Sequence, residues 1–336
     1  MSTPQLVTLG HAIVDVLGHS NDQFIASHGL TKGVMQLVEA DQGVSIYDGM
    51  AKRAREKGEA LTQISGGSAA NTAVVAAMLG TPSAFIGKVN NDPLGDAFIE
   101  DIRSVGVHFA TMRSETDGPP TGRSMINVTP DAQRTMATYL GAARGLRVPD
   151  MDEHLLSGAQ VTYVEGYLWD ELRARDGLHH AIDVVHQAGQ RFSLSLADPF
   201  CVDRFRDEWL VLLTNDVDIV FGNEAELESL LGIDELDTAL YAIGERCEVA
   251  AITLGERGSV VVHDGVIEYS PLAVVPSVVD TTGAGDAYAG GFLHGFCSGM
   301  SLKSCAELGS LAAGEVISRL GARPSAALID LARQHG

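Results

Sequence analysis

A chain of 336 residues, 45% hydrophobic and 20% charged, is long enough for one large α/β domain or two smaller ones and has the composition of a soluble protein with a sizeable core. Its 23 Lys and Arg face 44 Asp and Glu, a formal net charge of −21, which excludes the basic footprint of a nucleic-acid binder and works against an anionic membrane surface. An anionic ligand therefore needs a local field that overcomes the global one.

The N-terminal "MSTPQLVTLGHAIVDVLG" lacks a basic region and a long apolar run, so no signal peptide is expected. "QLVTLG" and "AIVDVLG" read as strands, and "GVMQLV" as a short strand. "SAANTAVVAAMLG" reads as a helix, "SAFIGKV" as a strand and "PLGDAFIEDIRSVG" as a helix. In "TGRSMINVTPDAQRTMATYL" two alternating runs flank the turn-rich "TPDAQ", a hairpin signal. Strand "VTYVEG", a helix around 173–188, strand "FSLSLAD" and a helix near 203–213 follow. Strand "VDIVFGN", helix "EAELESLLG" and strand "VAAITLG" continue the rhythm, and "LAVVPSVVD" reads as extended before the helix "AYAGGFLHGFC". This alternation predicts an α/β fold with a mostly parallel central sheet flanked by helices. The apolar/polar alternation near 15–50 and 115–140 predicts a small β-sheet lid, inserted twice into a single domain whose core is 1–14, 51–114 and 141–336. The four cysteines, Cys201, Cys247, Cys297 and Cys305, form no C-x-x-C, so reduced thiols in a cytoplasm are expected. No apolar run is long enough to span a bilayer.

The chemistry concentrates in "DTTGAGDAYAGGF", residues 280–292. Gly283, Ala284 and Gly285 leave the backbone amides of a turn uncovered at a helix start, which makes an anion hole. A carboxylate beside such a hole, Asp286, repels phosphate unless it takes a proton, and phosphoryl transfer needs that combination. The bland alternative is a capped helix whose glycines serve close packing. Neither G-x-G-x-x-G nor G-x-x-x-x-G-K-[ST] occurs, so a dehydrogenase or P-loop protein lacks its fingerprint. Other stretches add weight. "SGGSAANT" sets Gly66 and Gly67 before a helix, with Asn71 one turn in. Asp15 ends an apolar strand and can accept two sugar hydroxyls, or can be a turn residue. In "GNEAELESLLG" Glu226 can hold a hydrated Mg²⁺ beside ATP, or simply favour a helix N-terminus. "ITLGERGSVV" is a strand, a glycine turn and a strand. Arg134, just past the lid turn, can reach a phosphate or stay solvated.

Taken together, "GGSAAN", "NEAE", "TLGERG" and "DTTGAGD", in this order, resemble the ribokinase-like (PfkB) family of carbohydrate and nucleoside kinases nearly end to end. The resemblance implies a ribokinase-like fold, with Asp286 as catalytic base and Gly283, Ala284 and Gly285 as the anion hole. It implies that Asp15, Gly66, Gly67 and Asn71 hold the phosphate acceptor, that Asn223 and Glu226 serve Mg-ATP, the metal through water, and that Thr253, Gly255 and Gly258 lie along the nucleotide. A monovalent cation such as K⁺ is implied near the Asp280–Thr282 backbone and "SRLGARPS". His11 stands where the family commonly has a small polar residue.

Within the family the chain looks most like the adenosine kinase branch, through its two-part lid, "VTPDAQRTMATYLGAA" with Arg134 at the lid hinge, "LADPF" and "VEGYLWD". Tyr167 is then the aromatic that stacks on a purine, or Leu168 if the register slips by one, with Phe200 and Met35 lining the slot. The implied reaction is ATP-dependent phosphorylation of the 5′-hydroxyl of adenosine to AMP, with purine salvage as its setting. The rivals are a sugar kinase acting on ribose, fructose or a relative, and a binding protein without catalysis. Small-molecule acceptor and ATP are the implied partners, in a monomer or a homodimer.

Overall fold

A computed structural model describes residues 3–115, 117–131, 133–273 and 277–335. Three residues of "LAVVPSVVD" and Ala132 of "TPDAQ" lie outside the described residues.

Two sheets arise because the chain changes sheet early. β1 (Leu6–Leu9) is buried at every position. The chain then passes through Gly10, His11 and Ala12 into β2 (Ile13–His19), whose far end reaches solvent. α1 (Asp22–Ser27), β3 (Met35–Leu37), α2 (Ala40–Lys57) and β4 (Thr62–Gly66) come next. α3 (Ser68–Leu79), β5 (Ser83–Ile86), α4 (Pro93–Ser104), β6 (Gly122–Val128) and β7 (Arg134–Tyr139) follow. The βα rhythm then runs through α5 (Glu153–Gly158), β8 (Val161–Glu165), α6 (Leu172–Gln187), β9 (Arg191–Ser195), α7 (Pro199–Asn215) and β10 (Ile219–Asn223). α8 (Glu224–Leu231), α9 (Leu236–Gly244), β11 (Val249–Thr253), β12 (Ser259–His263) and β13 (Val266–Ser270) complete the large sheet. α10 (Ala284–Cys297), α11 (Leu302–Ile317) and α12 (Ala327–His335) close the chain.

The large sheet has eight strands in the order β13-β12-β11-β10-β9-β8-β1-β5. All its pairings are parallel except the antiparallel β11–β12 and β12–β13 at one edge. Its middle strands are buried on both faces, so they read as apolar runs without alternation. Val7, Leu9, Val164, Leu194 and Ile252 join one core cluster with Trp209. Leu6, Phe85, Tyr163 and Ala251 join the other, with Val74 of α3 and Phe292 of α10.

The smaller sheet has five strands in the order β3-β7-β6-β2-β4. β6 and β7 form the hairpin, with Val128 opposite Arg134 and Arg123 opposite Tyr139. α1 and α2 cover one face through Phe24, Ile46 and Met50, against Met125 and Ala137. β4 comes from outside the two stretches assigned to the lid. Its Thr62, Gln63 and Ile64 are exposed, and its pairing with β2 decides its place rather than an apolar pattern. α7 starts at Pro199 behind an Asp198 cap and kinks at Phe205, so the helix near 203–213 is its later portion. The C-terminal ends of β1, β8, β9, β10 and β11 open toward the junction with the smaller sheet, where ligands bind in parallel α/β sheets.

Candidate active site

Gly283 caps α10 in the left-handed region, with φ 77°. A Cβ there would lie 2.6 Å from the Ala322 Cβ, so only glycine fits both the backbone and the space. The Ala284 amide donates to the Thr281 carbonyl at 3.2 Å and the Ala287 amide to the Gly283 carbonyl at 2.8 Å. The amides of Gly283, Gly285 and Asp286 meet no protein acceptor among the described residues. A Cβ on Gly285 would touch nothing, because that backbone faces open space. Unpaired amides and the helix dipole therefore converge on a cleft of about 320 Å³, lined by Ser68, Asn223, Glu226, Thr253 and Asp286 among others. Gly290 and Gly291 have a different purpose. A Cβ on Gly290 would lie 2.6 Å from the Val75 Cβ, and one on Gly291 2.6 Å from the Leu308 carbonyl oxygen. Their bare backbone lets α10 wedge between α3 and α11.

Two donors from α3 fix Asp286. The Ser68 hydroxyl donates to its Oδ1 at 2.6 Å and the Asn71 Nδ2 to its Oδ2 at 3.0 Å. Burial pushes its pKa up to about 6; the two hydrogen bonds and the Arg323 cation pull it down, and Glu165 pushes it further up. That value leaves it ionised at neutral pH, yet basic enough to accept a proton.

Asp15, on β2, sits over Gly66, where a Cβ would lie 2.7 Å from its Oδ2. Its pKa is likewise raised to about 6 by burial, with Arg323 and Arg134 pulling it down and Asp286 pushing it up. Gly67 takes φ 101°, and a Cβ there would lie 2.1 Å from the His11 carbonyl oxygen, so this turn too demands glycine. Asn71 is 4% exposed. Arg134, at the start of β7, places Nη1 2.6 Å from Asp280 Oδ2, tying the smaller sheet to the loop before α10. Neither of its terminal nitrogens is aligned with a hydrogen-bond acceptor. Tyr167 lines the cleft and donates to the Ala197 carbonyl at 3.5 Å, whereas Leu168 is buried in the core. Met35 and Phe200 do not line the cleft, and both are exposed. Phe200 stands out at the start of α7, under the Arg204 guanidinium.

On the opposite wall, Asn223 and Glu226 form a capping box at the head of α8. The Asn223 amide donates to Glu226 Oε2 at 2.9 Å and its Nδ2 to Oε1 at 2.6 Å, while Glu226 N donates to Asn223 Oδ1 at 2.9 Å. Burial pushes the Glu226 carboxyl up to about 7. Thr253, at the end of β11, lines the cleft. Gly255 and Gly258, both at positive φ, make the turn beyond it without lining it.

Residues 23–328 match the pfkB family of carbohydrate kinases. This chain belongs to the pfkB family. It is a phosphotransferase with an alcohol group as acceptor. Among solved structures, the pfkB kinase is similar to the adenosine kinase from Sinorhizobium meliloti, with 43% identity, 100% of each chain covered and a TM-score of 0.90. It is equally similar to a probable sugar kinase from Rhizobium etli CFN 42, with 43% identity, 99% of each chain covered and a TM-score of 0.90. Adenosine kinase 2 of Arabidopsis thaliana is 26% identical, over 94% of each chain.

Two charged residues of the pfkB kinase stand at the site although the sequence pattern does not single them out. Glu165, at the end of β8 and 1% exposed, accepts from the His11 amide at 2.8 Å, His11 Nδ1 at 2.7 Å and the Ala69 amide at 2.9 Å. It thereby ties the β1–β2 crossover to the first turn of α3. Arg323, between α11 and α12, donates from Nε to Asn71 Oδ1 at 3.0 Å and from Nη2 to the Ser65 hydroxyl at 2.8 Å. Their nearest signal is position within "VEGYLWD" and "SRLGARPS", neither of which marks a charge.

Proposed function

We propose that this pfkB kinase moves the γ-phosphoryl of ATP to the 5′-hydroxyl of adenosine, giving AMP and ADP. The observation that carries the transfer is Asp286, held by Ser68 and Asn71 beside the unpaired amides of Gly283 and Gly285. In this reading Asp286 accepts the hydroxyl proton, and those amides stabilise charge on the migrating group. Asp15, Gly66, Gly67 and Asn71 orient the acceptor, and Tyr167 offers its ring to the base. Arg134 turns its unaligned nitrogens toward the phosphoryl group, and the smaller sheet excludes water as it closes.

Asn223, Thr253, Gly255 and Gly258 would flank the nucleotide. Among the described residues there is no group of three or more His, Cys, Asp or Glu able to cage a metal. Glu226 beside the cleft instead suits Mg²⁺ held through water and phosphate oxygens. When bound, Mg-ATP supplies the phosphoryl group and neutralises its charge. A monovalent cation such as K⁺ would lie by the Asp280–Thr282 backbone, where the Gly321 amide donates to Asp280 Oδ2 at 2.8 Å.

Adenosine as acceptor is supported by end-to-end likeness to adenosine kinases. A sugar acceptor is the second reading, favoured by the equally similar probable sugar kinase. Incubation with Mg-ATP and an equimolar mixture of adenosine, guanosine, inosine, ribose and fructose, followed by product masses, separates them. AMP as the dominant product is expected; a sugar phosphate would discard the adenosine assignment and keep Asp286.

A further inference from the structure

We propose that Arg323 is a positioning residue for phosphoryl transfer: it locks the Asn71 amide so that the NH₂, and not the oxygen, faces Asp286. The inference rests on reading Asp286 as the base.

The segment that carries Arg323 is pinned just before it. The Gly321 amide donates to Asp280 Oδ2 at 2.8 Å, and Ala322 packs against the backbone of Gly283. Arg323 then turns inward, with its side chain 14% exposed. Its fork holds Asn71 Oδ1 and the Ser65 hydroxyl at once, with Nη1 3.7 Å from Asp101 Oδ2. Asn71 thus has a guanidinium on one side and a carboxylate on the other. With the amide reversed, its oxygen would meet the Asp286 carboxylate and its NH₂ would meet the guanidinium. Both contacts would be repulsive, and Asn71 is too buried for water to relieve them. One orientation therefore satisfies both neighbours, and the guanidinium selects it. Asp286 then receives one hydroxyl and one amide donor, which fixes its plane and leaves its remaining lone pairs for the acceptor hydroxyl.

Charge acts alongside geometry. Arg323 lowers the pKa values of both Asp286 and Asp15 against the effect of burial. Glu165 opposes it at Asp286, while Asp15, Tyr163 and Tyr167 are the other titratable groups coupled to that carboxyl and Arg134 acts on Asp15. Removing the cation must therefore push Asp286 further up.

The test compares Arg323→Met and Arg323→Lys with wild type in the full chain. Arg323→Met should lower kcat by roughly 10- to 100-fold, more than it changes acceptor KM, and move the acid limb of kcat/KM to higher pH. Arg323→Lys keeps the charge but not the fork. Its limb should stay near wild type while kcat remains depressed, because one ammonium replaces a planar two-point clamp. The side-chain amide resonances of Asn71, assigned by their loss in Asn71→Asp, should shift in both variants. Wild-type kcat, limb and resonances in folded Arg323→Met would overturn the proposal. So would a lower kcat with the limb and the Asn71 resonances unmoved, which marks mere structural support. Should Arg323→Met not fold, Arg323→Lys decides by kcat and resonance alone. The resonance needs no turnover, and the kinetics use whichever acceptor wild type phosphorylates, so failure of the adenosine reading is told apart from failure here.

Discussion

Asp286 has its two oxygens committed to Ser68 and Asn71, so an amide in its place keeps the shape and loses the basicity. Asp286→Asn should reduce kcat by about 10²- to 10⁴-fold while adenosine binding, followed by calorimetry, changes only a few-fold. Near-normal turnover would end its assignment as base. The pH dependence follows from two carboxyls. Burial raises both Asp286 and Asp15 to about 6; Asp286 must be ionised to take the hydroxyl proton, and Asp15 must be ionised to accept two hydroxyls with both oxygens. Activity should therefore be lost as pH falls through about 6, with a limb in log kcat/KM that becomes steeper than one proton below both titrations, because two carboxyls must each lose a proton. A slope of one would show that a single group controls the limb. The turn at 283–286 was legible as a site only in company with "GGSAAN", "NEAE" and "TLGERG", because a capped, closely packed helix uses the same small residues. Glu165 and Arg323 were not, since each acts on partners remote in sequence. Glu165 reaches Ala69 across 96 residues and Arg323 reaches Asn71 across 252.

At the level of elements, α10 uses its glycines in two ways that a pair of substitutions separates. Gly283→Ala forces a side chain into the left-handed region and against Ala322, so it should cost roughly 1–3 kcal/mol and lower Tm by a few degrees. Gly285→Ala meets no protein atom, so Tm should hold while the new methyl beside the cleft depresses kcat/KM. Equal melting losses in the two variants would contradict this division. The helix itself was legible, and close packing, against α3 and α11, is the role of Gly290 and Gly291. β4 escaped because its exposed positions carry no apolar pattern and only the ladder to β2 defines it.

For the whole molecule, the contact between Arg134 and Asp280 joins the smaller sheet to the loop before α10. Asp280 keeps the Thr282 and Gly321 donors when Arg134 is removed, so Arg134→Gln should destabilise less than the ~3–5 kcal/mol of a wholly orphaned buried charge. Its effect should instead appear as leakage: ADP formed in excess of phosphorylated acceptor, because the smaller sheet no longer seals the cleft. One ADP per product in Arg134→Gln would remove that role. The fold class was legible because βα alternation admits few topologies. Which acceptor fits was not, because tertiary packing decides which side chains face the cleft: Tyr167 lines it, whereas Met35 and Phe200, expected beside it, stand outside. The distances along the chain also set an order of events during refolding. Trp169 donates from Nε1 to Glu208, beside Trp209, across only 39 residues, whereas Ser68 and Asp286 are 218 residues apart. Contacts of such long range close late. Tryptophan fluorescence should regain its native value while the refolding kinase is still inert.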